Sequence, residues 1–99
     1  MNEIEIYQGN TNTIICTVAG LDNLIGYTAT LTVKKDIRDI APLIDTVGLI
    51  TGLTIEFNTS ASQNTLPTGR YAYDITIADG TKVYTVAQST YKITDSVKY

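Results

Sequence analysis

The chain has 99 residues, 43% of them hydrophobic and 17% charged, and a net charge of −3 from 7 basic and 10 acidic side chains with no histidine. That length suits one domain, residues 1–99, with chain enough for a two-layer core, and the apolar content excludes disorder. The acidic balance removes phosphate-driven nucleic-acid binding, and no apolar run approaches the ~20 residues of a membrane span.

Glu3 to Tyr7 alternates charged and apolar, a short edge strand with Ile4 and Ile6 on one face and glutamates that discourage edge pairing on the other. After a turn at Gln8-Gly9-Asn10, Thr13 to Ala19 reads as a strand with Ile14, Cys16 and Val18 inward. Ile15 then faces outward, where it suits a contact surface or stands as an isolated surface apolar. Residues 20–26 form a glycine-bounded connection whose apolar residues, Leu24 and Ile25 among them, plug one end of the fold or contribute to a contact.

Tyr27 to Lys34 carries the clearest alternation, with Tyr27, Ala29, Leu31 and Val33 on one face and three threonines on the other. Asp36 to Ile50 is expected to be an edge strand or a loop crossing between sheets, because Pro42 forbids a central strand. Its apolar island Ile40-Ala41-Pro42-Leu43-Ile44 folds inward or joins a binding surface. Leu53, Ile55 and Phe57 mark the inner face of the next strand, and Asn58 to Thr65 has the serine and asparagine signals of one helical turn joining two sheets.

Leu66 to Gly80, LPTGRYAYDITIADG, is the stretch around which the rest is arranged. Pro67-Thr68-Gly69 turns into a long strand in which Tyr71, Tyr73, Ile75 and Ile77 leave one face at period two, and Asp79-Gly80 closes it with a hairpin signal. The following strand should start near Lys82 and run to Thr94, either as two short strands or as one broken at Gln88-Ser89, with Tyr91 and Ile93 inward. Seven or eight short strands with turns between them predict an all-β, antiparallel β-sandwich.

Chemistry is sparse. Without histidine, acid–base catalysis near neutral pH lacks its usual group, the aspartates fall mainly in predicted turns, and one cysteine cannot close a zinc shell. Asp36 and Asp39 flank Arg38, which opposes a calcium ion there. No enzyme activity, metal or cofactor is expected. Cys16, alone, permits no internal disulfide and reads as a small buried hydrophobe. MNEIEIYQGN has neither the positive nor the apolar region of a secretory signal. The seven tyrosines divide between core positions (Tyr27, Tyr71, Tyr73) and positions open to an interface (Tyr7, Tyr84, Tyr91, Tyr99).

Leu66, Gly69, Tyr71 and Tyr73, spaced L-x-x-G-x-Y-x-Y, resemble the tyrosine corner of immunoglobulin-like sandwiches, with Tyr73 where the second disulfide cysteine would stand. In such a domain the strand around Leu31 would carry the core tryptophan. The whole pattern, including Tyr7-x-Gly9, Leu24-x-Gly26-Tyr27, Gly52-Leu53-Thr54-Ile55 and Tyr84-Thr85-Val86 through Ile93, is similar to the small immunoglobulin-like domains in virions of tailed bacteriophages, nearest to the N-terminal domain type of baseplate upper proteins. The resemblance implies a structural virion protein made in the bacterial host cytoplasm, with virion proteins as partners and no chemistry of its own. An auxiliary protein decorating the capsid is the first expectation and a tail, baseplate or fibre-attachment component the second. A carbohydrate-binding adhesion module is the alternative of another class, and self-association is open. Contacts are expected from Ile15, Leu24, Ile25, Ile40, Leu43, Ile44 and Tyr99.

Overall fold

The computed structural model describes residues 3–36, 38, 39 and 41–95. Among these, eight strands follow one another: β1 (Ile4–Tyr7), β2 (Asn12–Thr17), β3 (Thr28–Lys34), β4 (Ile44–Val47), β5 (Leu49–Thr51), β6 (Thr54–Thr59), β7 (Gly69–Ala78) and β8 (Val83–Thr94). A 3₁₀ turn, Gln63–Thr65, links β6 to β7 where the serine and asparagine signals predict one helical turn. The strands form a five-stranded sheet, β1-β8-β7-β3-β4, and a three-stranded sheet, β2-β6-β5. This is an immunoglobulin-like sandwich.

β7 lies between β8 and β3, so its inward residues form the middle of the core. Tyr71, Tyr73, Ile75 and Ile77 are all buried, and β3 lays Ala29, Leu31 and Val33 beside them without exposure. Leu31 opposes Ile75 directly. The other layer supplies Ile14, Cys16, Ile55 and Phe57. Burying a side chain of this size stabilises the fold by roughly 1.5–3 kcal/mol, and these alternating residues do so in both sheets at once. Among the described residues the one departure from antiparallel order is β1, which runs parallel to β8 with Ile4 opposite Tyr91 and Tyr7 opposite Thr94.

The segment expected to be either an edge strand or a crossing is both. β4 pairs with β3 at the edge of the larger sheet, the chain passes through Gly48, and β5 pairs with β6 at the edge of the smaller one. Gly48 donates its N–H to Ala29 O at 2.9 Å, and a Cβ there would stand 2.6 Å from both Ile55 Cγ2 and Phe57 Cε1. A side chain does not fit, so the sheets approach closely on this side.

β8 corrects the expectation of a break at Gln88-Ser89. It is one strand whose irregularity lies at Val86, because Ile75 pairs with Ala87 while Thr76 pairs with Thr85. The reason is facing. Ile75 and Ile77 are two residues apart and both inward, whereas their partners Ala87 and Tyr84 are three apart, and the extra residue lets both keep the inner side. The β7–β8 hairpin is held by Asp79, whose Oδ1 accepts from Lys82 N at 2.7 Å and Thr81 N at 3.0 Å. Those two backbone bonds, Lys82's first, hold the Asp79 carboxyl below its ordinary range.

At the opposite end of the sandwich the core closes on polar side chains. Asn64 is fully buried and donates from Nδ2 to Asn10 O at 2.7 Å and to Thr59 Oγ1 at 3.0 Å, while its Oδ1 accepts from the Tyr91 hydroxyl at 2.7 Å. Gly9 N donates to Asn64 O at 2.9 Å, and Gln8 Nε2 to Leu66 O at 3.0 Å. Beside them the Tyr71 hydroxyl donates to Pro67 O at 2.5 Å, the bond of a tyrosine corner. Gly69 takes φ +148°, Leu66 packs against the core, and Tyr73 meets Tyr91 edge-on with ring centroids 6.5 Å apart. Three chain segments are therefore tied at one place.

Candidate protein-contact surface

The alternation that buries Ile14 and Cys16 turns Ile15 out of β2, where it is 60% exposed. The register continues the row: Ile15 opposes Glu56 on β6, and Glu56 opposes Leu49 on β5, itself 66% exposed. With strands ~4.8 Å apart, the two apolar residues stand about 10 Å apart on the outer face of the three-stranded sheet. Glu56 lies between them and accepts from Asn58 Nδ2 at 3.1 Å, and Asn58 Oδ1 accepts from Thr13 Oγ1 at 2.8 Å. This polar ladder satisfies the charged residue of the row locally. Leu49 escaped the sequence analysis because the period of the 36–50 segment is interrupted by the crossing at Gly48.

Two expected contact residues belong to the core. Leu24 is 3% exposed, folded in by a turn in which Tyr27 N donates to Leu24 O at 3.1 Å, so it seals the end of the sandwich. Ile44 is 2% exposed, because as the first residue of β4 it opposes the inward Val33. Their neighbours behave oppositely: Ile25 is 85% exposed, its N–H taken by Asn23 Oδ1 at 3.1 Å, and Leu43 is about half exposed. Ile15, Leu43 and Ile44 form no common patch, since β2 and β4 stand at opposite sides of the sandwich. Ile40 and Tyr99 lie outside the described residues. Of the tyrosines read as open to an interface, Tyr7 and Tyr84 are exposed, Tyr84 against Tyr27 at 6.4 Å between centroids, but Tyr91 is fully buried, because its hydroxyl finds Asn64 inside the core.

The titratable groups of the core are those expected of packing. Burial pushes Cys16, Tyr71, Tyr73 and Tyr91 above their ordinary pKa values, so all stay protonated at neutral pH. Among the described residues no three of Cys, Asp or Glu gather as a metal site, and no helix is long and apolar enough to cross a membrane. Where β2 leads into residues 18–21, a cleft of about 440 Å³ opens between Thr17–Leu21 and Tyr84–Val86 of β8.

No protein-family model matches the sequence, and no curated protein matches it. Solved structures do resemble the fold. The immunoglobulin-like domain of mouse leukocyte-associated immunoglobulin-like receptor 1, in a strand-swapped dimer, superposes with a TM-score of 0.55 at 18% identity, covering 94% of this chain and 88% of that one. The extracellular domain of the same receptor gives 0.54 at 16% identity over the same shares. An uncharacterized protein from Bacillus anthracis gives 0.45 at 13% identity, covering 91% and 76%. At such identities the likeness concerns the fold alone.

Proposed function

We propose that this chain is a non-catalytic immunoglobulin-like module that attaches to another protein through the outer face of its three-stranded sheet. The observation that carries the reading is the row Ile15–Glu56–Leu49, in which two large apolar side chains stand in water on a regular sheet although the same strands turn their alternate residues, Ile14, Cys16, Ile50, Ile55 and Phe57, toward the core. Single exposed apolars are ordinary, but two in one cross-strand row make a flat surface that a partner can desolvate. The motif resemblance gives the reading its specific form: a structural virion protein, first an auxiliary protein on the capsid of a tailed bacteriophage, second a tail or baseplate component.

The test is co-sedimentation of the purified protein with virus particles of its source that lack it. Saturable binding to heads supports capsid decoration and binding to tails the second form. Ile15→Asp with Leu49→Asp should abolish either while leaving the melting temperature unchanged. Binding that survives the double substitution removes the outer face. Failure to join heads or tails, with retention of specific glycans, would favour an adhesion module instead.

A further inference from the structure

Among the described residues, Glu56 is the one charged side chain on the outer face of the three-stranded sheet. The rows beside it, Thr13 with Asn58 and Thr17 with Thr54 and Thr51, are uncharged. Glu56 is half-buried, with Ile15 on one side of it and Leu49 on the other. Its Oε2 accepts from Asn58 Nδ2 at 3.1 Å, and Thr13 Oγ1 holds the Asn58 amide in turn. That ladder fixes the direction of the carboxylate but brings no opposite charge. Among the described residues no ion pair reaches Glu56, whereas on β1 Glu3 is ion-paired with Arg70 and Glu5 with Lys92 at 3.4 Å.

A partner that covers Ile15 and Leu49 also covers Glu56, and an ionised carboxylate taken out of water without a countercharge carries a heavy desolvation penalty. Charge complementarity therefore dictates what stands opposite it. We propose, resting on the attachment reading above, that the partner sets an arginine guanidinium on Glu56, between two apolar recesses that receive Ile15 and Leu49. Among the described residues no hydrogen bond reaches Oε1, and Oε2 takes only the one from Asn58, so both oxygens are open to a donor that bonds them together. A planar guanidinium supplies that paired geometry and an ammonium does not. Arginine is also enriched at the covered centre of interfaces, where lysine is depleted. A second copy docked by the same face does not serve, because the face carries no cation and two of them would enclose two carboxylates with no charge to balance them. One carboxylate thus selects a partner and keeps copies of this chain apart.

The probe is hexylguanidinium, whose head meets the carboxylate while its chain covers an apolar neighbour, added at millimolar concentration to the isotope-labelled full chain and followed by NMR. Hexylurea, of the same shape without the charge, is the control. Hexylguanidinium should shift the amides of Ile15, Leu49 and Glu56 saturably, and hexylurea should bind about tenfold more weakly or less. Glu56→Gln keeps an oxygen for Asn58 Nδ2 and should retain the melting temperature, yet lose the preference for the charged probe. The proposal is overturned if hexylurea binds equally, if Glu56→Gln binds hexylguanidinium as tightly, or if the shifts centre away from these three residues. On source particles that lack the protein, Glu56→Gln should bind about tenfold or more weakly, and Glu56→Lys should not bind. Full binding by Glu56→Gln would overturn the arginine contact while attachment through the face stands. Full binding by Ile15→Asp with Leu49→Asp would instead overturn the face.

Discussion

The two ends of the sandwich solve the same problem in different ways. Where Gln8–Asn10, Thr59–Leu66 and the start of β7 meet, the chain closes over the core with buried polar groups, and Asn64 satisfies both atoms of its side-chain amide inside. At the other end, residues 18–27 and the β7–β8 hairpin close only part of the opening: Leu24 goes in, while Ile25, Val83 and Tyr84 remain in water, Tyr84 beside a cleft. A buried hydrogen-bonded network admits few arrangements, because each unsatisfied partner costs its full desolvation. Apolar residues at an open mouth impose no such constraint. The closed end is therefore fixed by its polar network, whereas the open end leaves large apolar side chains in water.

The sharpest way to break this comparison is Asn64→Ala. It strips the Tyr91 hydroxyl and Thr59 of their shared partner within the core, and a loss of about 3 kcal/mol in urea unfolding is expected. A loss below about 1 kcal/mol would show that the knot does not lock that end. Gly48→Ala acts on neither end but on the spacing of the sheets. Its methyl group would overlap Ile55 and Phe57, with an expected cost of about 2 kcal/mol. Tyr71→Phe deletes the bond to Pro67 O and should cost about 1 kcal/mol, and an unchanged melting temperature would remove the corner's structural role. Ile25→Ser at the open end should change stability by no more than ~0.5 kcal/mol.

Acid and alkali should separate the ends as well. Tyr91 and Tyr71 have folded pKa values raised by burial, so their contribution is complete below the ordinary tyrosine value of about 10 and is lost as pH rises through the raised folded values. Alkaline unfolding should therefore begin at the closed end, and Tyr91→Phe should flatten that limb. Asp79 is shifted the other way: its contribution is present above the ordinary carboxylate value of about 4 and fades as pH falls through the lowered folded value. Asp79→Asn, which keeps the accepting oxygen, should flatten the acid limb slightly, and the exchange rates of Thr81 and Lys82 amides against pH would show it.

Much of this architecture was legible in the linear pattern. Period-two alternation is a local property, since side chains of an extended backbone must leave opposite faces, and it assigned Tyr71 to Ile77, Ala29 to Val33 and the outward Ile15 without reference to any neighbour. The turn at Asp79-Gly80 and the exclusion of a central strand at Pro42 are equally local. Between Leu24 and Ile25, or Leu43 and Ile44, the sequence offers two adjacent apolar residues with no period around them, and only the path of the chain chose which one to bury.

Other features depended on partners far away in sequence. Asn64 reads as a turn residue until Tyr91 and Asn10 are brought to it, and Leu49 gains its place beside Ile15 only through Glu56 on the strand between them. The parallel seat of β1 on the last four residues of β8 was likewise decided by strand pairing. The physical reason is that hydrogen-bond partners and sheet neighbours are chosen among segments tens of residues apart, whereas the face a side chain takes within a strand is set by its two neighbours in the chain.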